Sequence, residues 1–177
     1  MICHMPFLVT LGDCPDSVMK AASVAIAHYW GAPLLEVPFR ENPNEFMKSL
    51  WKEKGLVRIL GDVGILTNEA GSWLEILGAW KCPVIFLVSP LPNGDIPGLV
   101  AAYVALSKAL SVEMIGIVQV GDAWNYKLRK MDGLPWCGWM PSINKPDIEA
   151  LAKNNPENDL IIENLVHQLK KRVSSIN

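Results

Sequence analysis

None of the chain's apolar runs approaches the roughly 18 residues that a membrane helix needs, so no membrane span is expected. Charge of one sign is also missing. Sixteen Lys and Arg face eighteen Asp and Glu, for a net charge of −2, so no general electrostatic drive toward nucleic acid or anionic lipid exists. Cysteine is sparse: Cys3, Cys14, Cys82 and Cys137 lie far apart, which reads as reduced thiols in a cytoplasm rather than as a disulfide framework. The start, MICHMPFLVTL, lacks a basic segment and a small-residue cleavage site, and is not expected to be a signal peptide. No repeat and no low-complexity segment is visible. Cys3-His4 has no second pair at zinc spacing, so no metal site is expected. His28 and His167 have no Ser or Cys nearby in a nucleophile motif, which leaves triad chemistry unsupported.

What is present is apolar substance. Half of the 177 residues are hydrophobic, and mean hydropathy is +0.21. Such a chain offsets its backbone entropy and is not disordered. Its length fits one domain over residues 1–177, able to bury roughly 70% of its unfolded surface without metal or disulfide.

Short apolar runs alternate with amphipathic segments. The strand candidates are Pro6 to Leu11, Leu34 to Phe39, a third within Leu56 to Leu66 that breaks at Gly61 or Gly64, Pro83 to Ser89, Met114 to Val120, and Trp136 to Met140. Pro83 to Ser89 is apolar on both faces, as a central parallel strand should be. Helical spacing marks Ser17 to Trp30, Glu45 to Lys54, Asn68 to Trp80, a helix opened by Asp95 and Pro97 and running to about Leu110, Asp122 to Met131, and a last helix of about 156–173 opened by Asn155-Pro156. Side-chain caps are expected from Asp16 or Ser17, and from Thr67 or Asn68. Strands alternating with helices predict a three-layer α/β sandwich around a mostly parallel sheet of about six strands, with the last helix packed on it. Ligands of such sheets bind beyond the carboxyl ends of the strands. That singles out the loops Gly12 to Asp16, Gly61 to Thr67, Ser89 to Asp95 and Gly121 to Asn125.

The first loop, LGDCPDSVMKAAS, stands where a phosphate-binding loop would join strand to helix. It has one glycine, Gly12, and Val18-Met19-Lys20 replaces the Gly-Lys-Ser/Thr ending. Asp13 and Asp16 would repel a second anion at that helix N-terminus. Of the seven tryptophans, Trp30, Trp51, Trp73 and Trp80 read as core. Trp124, Trp136 and Trp139, with Tyr126, cluster near strand carboxyl ends, where core packing is preferred over a stacking or subunit role.

Four pieces in order, LVRILGDVGIL, SWLEILGAWKCPVIFLVSP, VEMIGIVQV and LRKMDGLPWCGWMPS, carry a resemblance. Together they resemble the second half of dethiobiotin synthetases, within the P-loop NTPase superfamily. The resemblance implies a P-loop NTPase-like fold, a homodimer, and ATP with magnesium for an enzyme that activates a carbamate. The chain departs from the family where its chemistry lies. The position of the family's metal-holding Glu carries Leu60, with Asp62 two residues on. The position of its adenine-recognising Asn falls at Val120 or Gly121, with Asn125 nearby.

The expected nucleotide-binding remnant is therefore Gly12, Ser17, Lys20 and Asp62, and the expected ligand-pocket residues are Asn93, Asp95, Trp124 and Asn125. The leading expectation is a degenerate, non-catalytic binding or interaction module without cofactor or metal. The alternatives are a divergent ATP-dependent carboligase and a small-ligand protein of flavodoxin-like order. A further expectation concerns Leu99, Val100, Tyr103, Val104, Leu106 and Leu110, an apolar set wider than a sheet-facing stripe requires. Either the last helix covers the surplus or a second copy does, and the resemblance favours the homodimer.

Overall fold

The computed structural model describes residues 5–50, 54–67, 71–121, 124–143 and 156–176. Strand β1 (Phe7–Leu11) leads into helix α1 (Asp16–Trp30), β2 (Leu34–Pro38), α2 (Pro43–Ser49) and β3 (Leu56–Leu60). Two short strands, β4 (Leu66–Thr67) and β5 (Gly71–Ser72), pair antiparallel ahead of α3 (Trp73–Ala79). Then follow β6 (Pro83–Val88), α4 (Gly98–Ala109), β7 (Glu113–Val120), α5 (Tyr126–Met131), β8 (Trp136–Met140) and α6 (Pro156–Ser174).

Among the described residues, the main sheet has six strands in the order β2-β3-β1-β6-β7-β8, and every neighbouring pair is parallel. Strand pleat divides the core in two. Leu8 of β1 and Ile85 and Leu87 of β6 face α1 and α6, where Ala22, Ala25 and Ile26 meet Ile162, Leu165 and Leu169. Phe7 and Val9, with Val84 and Phe86, face α2, α3 and α4, against Met47, Trp73, Leu77, Val100 and Val104. The result is a three-layer α/β sandwich, as the alternation of elements predicts. All six residues of β6 are buried, and a fully buried side chain of this kind contributes about 1.5–3 kcal/mol.

The order is not flavodoxin-like. That topology places β2 beside β1, whereas β3 lies between them here. The last helix does not cover α4 either. It packs beside α1 on the opposite face, fastened by Arg172, whose Nη1 donates to Ile115 O at 3.2 Å and whose Nη2 donates to Trp136 O at 3.3 Å.

Helix starts differ from expectation: α2 begins at Pro43 and α5 at Tyr126, and three others differ in their caps. The N-cap of α1 is Pro15, without a side-chain cap, because Asp16 is drawn to a buried arginine instead. Helix α3 starts at Trp73 rather than near Asn68. Ser72 and Glu75 form a reciprocal capping box there, while Thr67 lies in β4 and Asn68 lies outside the described residues. Helix α4 starts at Gly98 with Pro97 as N-cap, and Asp95 is held in the preceding turn by Asn93. Gly31 ends α1 in the left-handed region, φ 72°, and its amide donates to the Ala27 and His28 carbonyls of the last turn. Asn155, Asp122 and Trp51 lie outside the described residues.

Candidate functional site

A cavity of about 500 Å³ opens at the carboxyl ends of β1 and β3. Chain connections from these two strands run in opposite directions across the sheet, which is where open α/β sheets leave a crevice. The first loop supplies Gly12, Asp13, Cys14 and the start of α1, Asp16. Strand β3 and its following turn supply Arg58, Gly61 and Asp62, and α4 supplies Leu99 and Tyr103. Gly12 and Gly61 adopt φ 91° and 106°, so both turns need glycine at those points. At Gly61 space is a second constraint, since a Cβ would lie 2.5 Å from Phe39 Cδ1.

Arg58 dominates the floor. Its side chain is 2% exposed, yet it carries a permanent charge. Nη1 donates to Glu36 Oε1 of β2 at 2.7 Å, and Nη2 donates to the Asp16 carboxylate. Burial raises the proton affinity of Glu36, but the Arg58 and Lys20 hydrogen bonds and charges outweigh it, so its pKa lies below the usual carboxylate value. Lys20 Nζ lies 3.1 Å from Glu36 Oε2. The two cations and two carboxylates thus neutralise one another inside the chain.

The outer wall is a second polar cluster. The Tyr103 hydroxyl and the Gly64 amide both donate to Asp62 Oδ1, the latter at 2.8 Å. Burial first, then the Asp62 carboxylate, pushes the Tyr103 pKa up to about 12, so the phenol keeps its proton and remains a donor. The Cys14 thiol is pushed up by burial, against a smaller opposing effect of its hydrogen bond with Ser89. It is therefore not a thiolate nucleophile.

Of the expected nucleotide-binding remnant, Gly12 and Asp62 line the cavity. Lys20 is engaged by Glu36, and Ser17 is exposed on the first turn of α1, outside the lining. Leu60 is half-buried at the end of β3, paired with Pro38. The expected ligand-pocket residues do not gather around this cavity. Asn93 and Asp95 bond to each other at 2.7 Å, and Asn125 Oδ1 accepts from Leu128 N as the N-cap of α5. Trp124 packs edge-to-face on Trp136, ring centroids 5.9 Å apart. Asp95 borders a separate hollow of about 510 Å³ between α4 and α5. Trp73, Trp80 and Trp30 pack with the core, and Trp136 does so beneath the Arg129 guanidinium. The sequence pattern passed over Arg58 and read Tyr103 only as part of an apolar helix face. An arginine inside the apolar strand LVRIL was the available signal, since a charge there must find partners.

Among the described residues, no three His, Cys, Asp or Glu side chains converge as a metal site. Among them too, no helix is long and apolar enough to cross a membrane. No protein-family model matches the chain, and no curated protein does.

Proposed function

We propose that this chain is a degenerate dethiobiotin synthetase-like protein of P-loop NTPase type, a non-catalytic binding module that works as a homodimer in the cytoplasm. The observation that carries this reading is the state of the first loop. Its one lysine, Lys20, pairs with Glu36, while Asp13, Asp16 and Asp62 line the cavity where a polyphosphate would have to sit. A catalyst that joins ATP to a carbamate must neutralise several anionic groups at once, and carboxylates do the reverse. Arg58 cannot supply the missing charge, because Glu36 and Asp16 already hold it. Support for a reducing compartment comes from Cys14, Cys82 and Cys137, which carry thiols rather than disulfides.

The cavity is roomy enough for a small molecule. Calorimetry with magnesium-ATP tests the reading directly. Binding no tighter than millimolar, about −4 kcal/mol, is expected. Micromolar binding would reject it in favour of a divergent ATP-dependent carboligase. Denaturing the purified protein and weighing the released small molecules by mass spectrometry would identify a co-purified ligand.

A further inference from the structure

We infer that the chain carries a second binding site at the amino end of the sheet, built to take a small organic anion, a carboxylate on an apolar body. It stands apart from the first loop and does not depend on how that loop is read. A hollow of about 600 Å³ opens there, framed by the starts of β1 and β3, the end of α1 and the last turns of α6. Met5, Pro6, Trp30 and Val173 give it an apolar wall. The frame is fixed by main chain: Val57 N donates to Pro6 O at 3.0 Å, and Leu56 N donates to Pro33 O at 2.9 Å. Gly55 lets β3 begin this close, since a Cβ there would stand 2.6 Å from Pro33 O. An apolar hollow with a few polar groups at fixed points is the usual form of a small-molecule site.

Three observations select an anion. The charged side chains that line the hollow are Lys54 and Lys170, and no Asp or Glu joins them, although the chain as a whole has a net charge of −2. Neither ammonium has a carboxylate partner among the described residues, whereas Lys20 pairs with Glu36. Lys170 is half-buried; its Nζ donates to the Tyr29 carbonyl at 3.3 Å and stands 5.9 Å from the centroid of the Trp30 ring. That bond uses one of three ammonium protons, and Lys54 makes none among the described residues. Lastly, helix carbonyls that would repel an anion are already occupied. The Gly31 amide takes those of Ala27 and His28 at the end of α1, and the Ser174 and Ser175 hydroxyls take those of Lys170 and Arg172 at the end of α6. A carboxylate meets the two ammoniums, and its apolar body covers Met5 and Val173 beside the indole. A neutral apolar molecule would leave both charges unanswered.

Calorimetry with octanoate, naphthoate, octanol and octylamine tests the site. At least one of the two carboxylates is expected to bind tighter than about millimolar, and the alcohol and the amine at least about tenfold more weakly. Preference for octanoate assigns an acyl chain to the hollow, and preference for naphthoate assigns an aromatic ring. Lys170→Met should weaken carboxylate binding at least about tenfold. Lys54→Met, at an exposed position, should weaken it about threefold and serves if Lys170→Met does not fold. Lys108→Met, at an exposed position on α4 away from the hollow, should leave it unchanged. Octanol binding as tightly as octanoate, no binding of either carboxylate, or carboxylate binding that neither lysine substitution weakens would each overturn the proposal.

Discussion

Arg58 Nη1 meets Glu36 Oε1 at 2.7 Å, joining β3 to β2 by charge beneath the first loop. The pair is asymmetric, with Arg58 2% exposed and Glu36 27% exposed. Removing the carboxylate therefore leaves a guanidinium in the interior with only the exposed Asp16 to face it. Glu36→Gln should lower unfolding free energy by about 1–3 kcal/mol in urea titrations. Asp16→Asn, at a side chain 74% exposed, should cost less than about 1 kcal/mol. Equal costs would contradict the burial argument.

The same pair sets a pH dependence. Because the folded pKa of Glu36 is depressed, its contribution is present above the unfolded value, near 4.5, and is lost as pH falls through the folded value. Wild-type stability should drop with acid below about pH 4.5, and Glu36→Gln should flatten part of that drop. Thermal midpoints of both proteins across pH 3 to 7, on the order of eight points, would show it.

Helix caps provide a contrast. Ser72→Ala removes the acceptor for the Glu75 amide and breaks the capping box, and should cost about 1 kcal/mol. Ser17→Ala should change stability by less than about 0.5 kcal/mol, since α1 begins without a side-chain cap and Ser17 is exposed. Chemical denaturation of the two variants side by side would decide, and a large Ser17 effect would restore that residue as a cap.

Gly78 tests packing against propensity. Within an exposed helix, Gly→Ala gains about 1 kcal/mol. Here an added Cβ would stand 2.2 Å from the Leu110 carbonyl oxygen, where α3 closes on the end of α4. That neighbour is backbone and cannot swing away, so Gly78→Ala should destabilise by about 1–3 kcal/mol. A stabilised variant, seen by calorimetry, would show that the two helices can move apart.

Much of the fold was legible because periodicity reports burial directly. The all-apolar PVIFLV had to be central, and it lies between β1 and β7. Strand order was not legible, since the register of β3 against both β1 and β2 depends on crossovers that leave no mark in local pattern. The site was harder still. Asp16 has the residue type of a cap, but a guanidinium 42 positions away in sequence bids for the same carboxylate. Lys20 has the type and place of a phosphate ligand, but Glu36 lies across the gap. The Ser72–Glu75 box was visible as S-x-x-E, and was overlooked because the apolar spacing extends the helix backward past it.

Helix α6 and helix α1 form one layer, and Lys170 of the former donates to the Tyr29 carbonyl of the latter, 141 residues earlier. During synthesis, then, the sheet's α1-side face stays half bare while all six strands have already left the ribosome. The nascent chain has Leu165, Val166 and Leu169 still to place over β7 and β8, and until they arrive it presents chaperones with an open apolar flank.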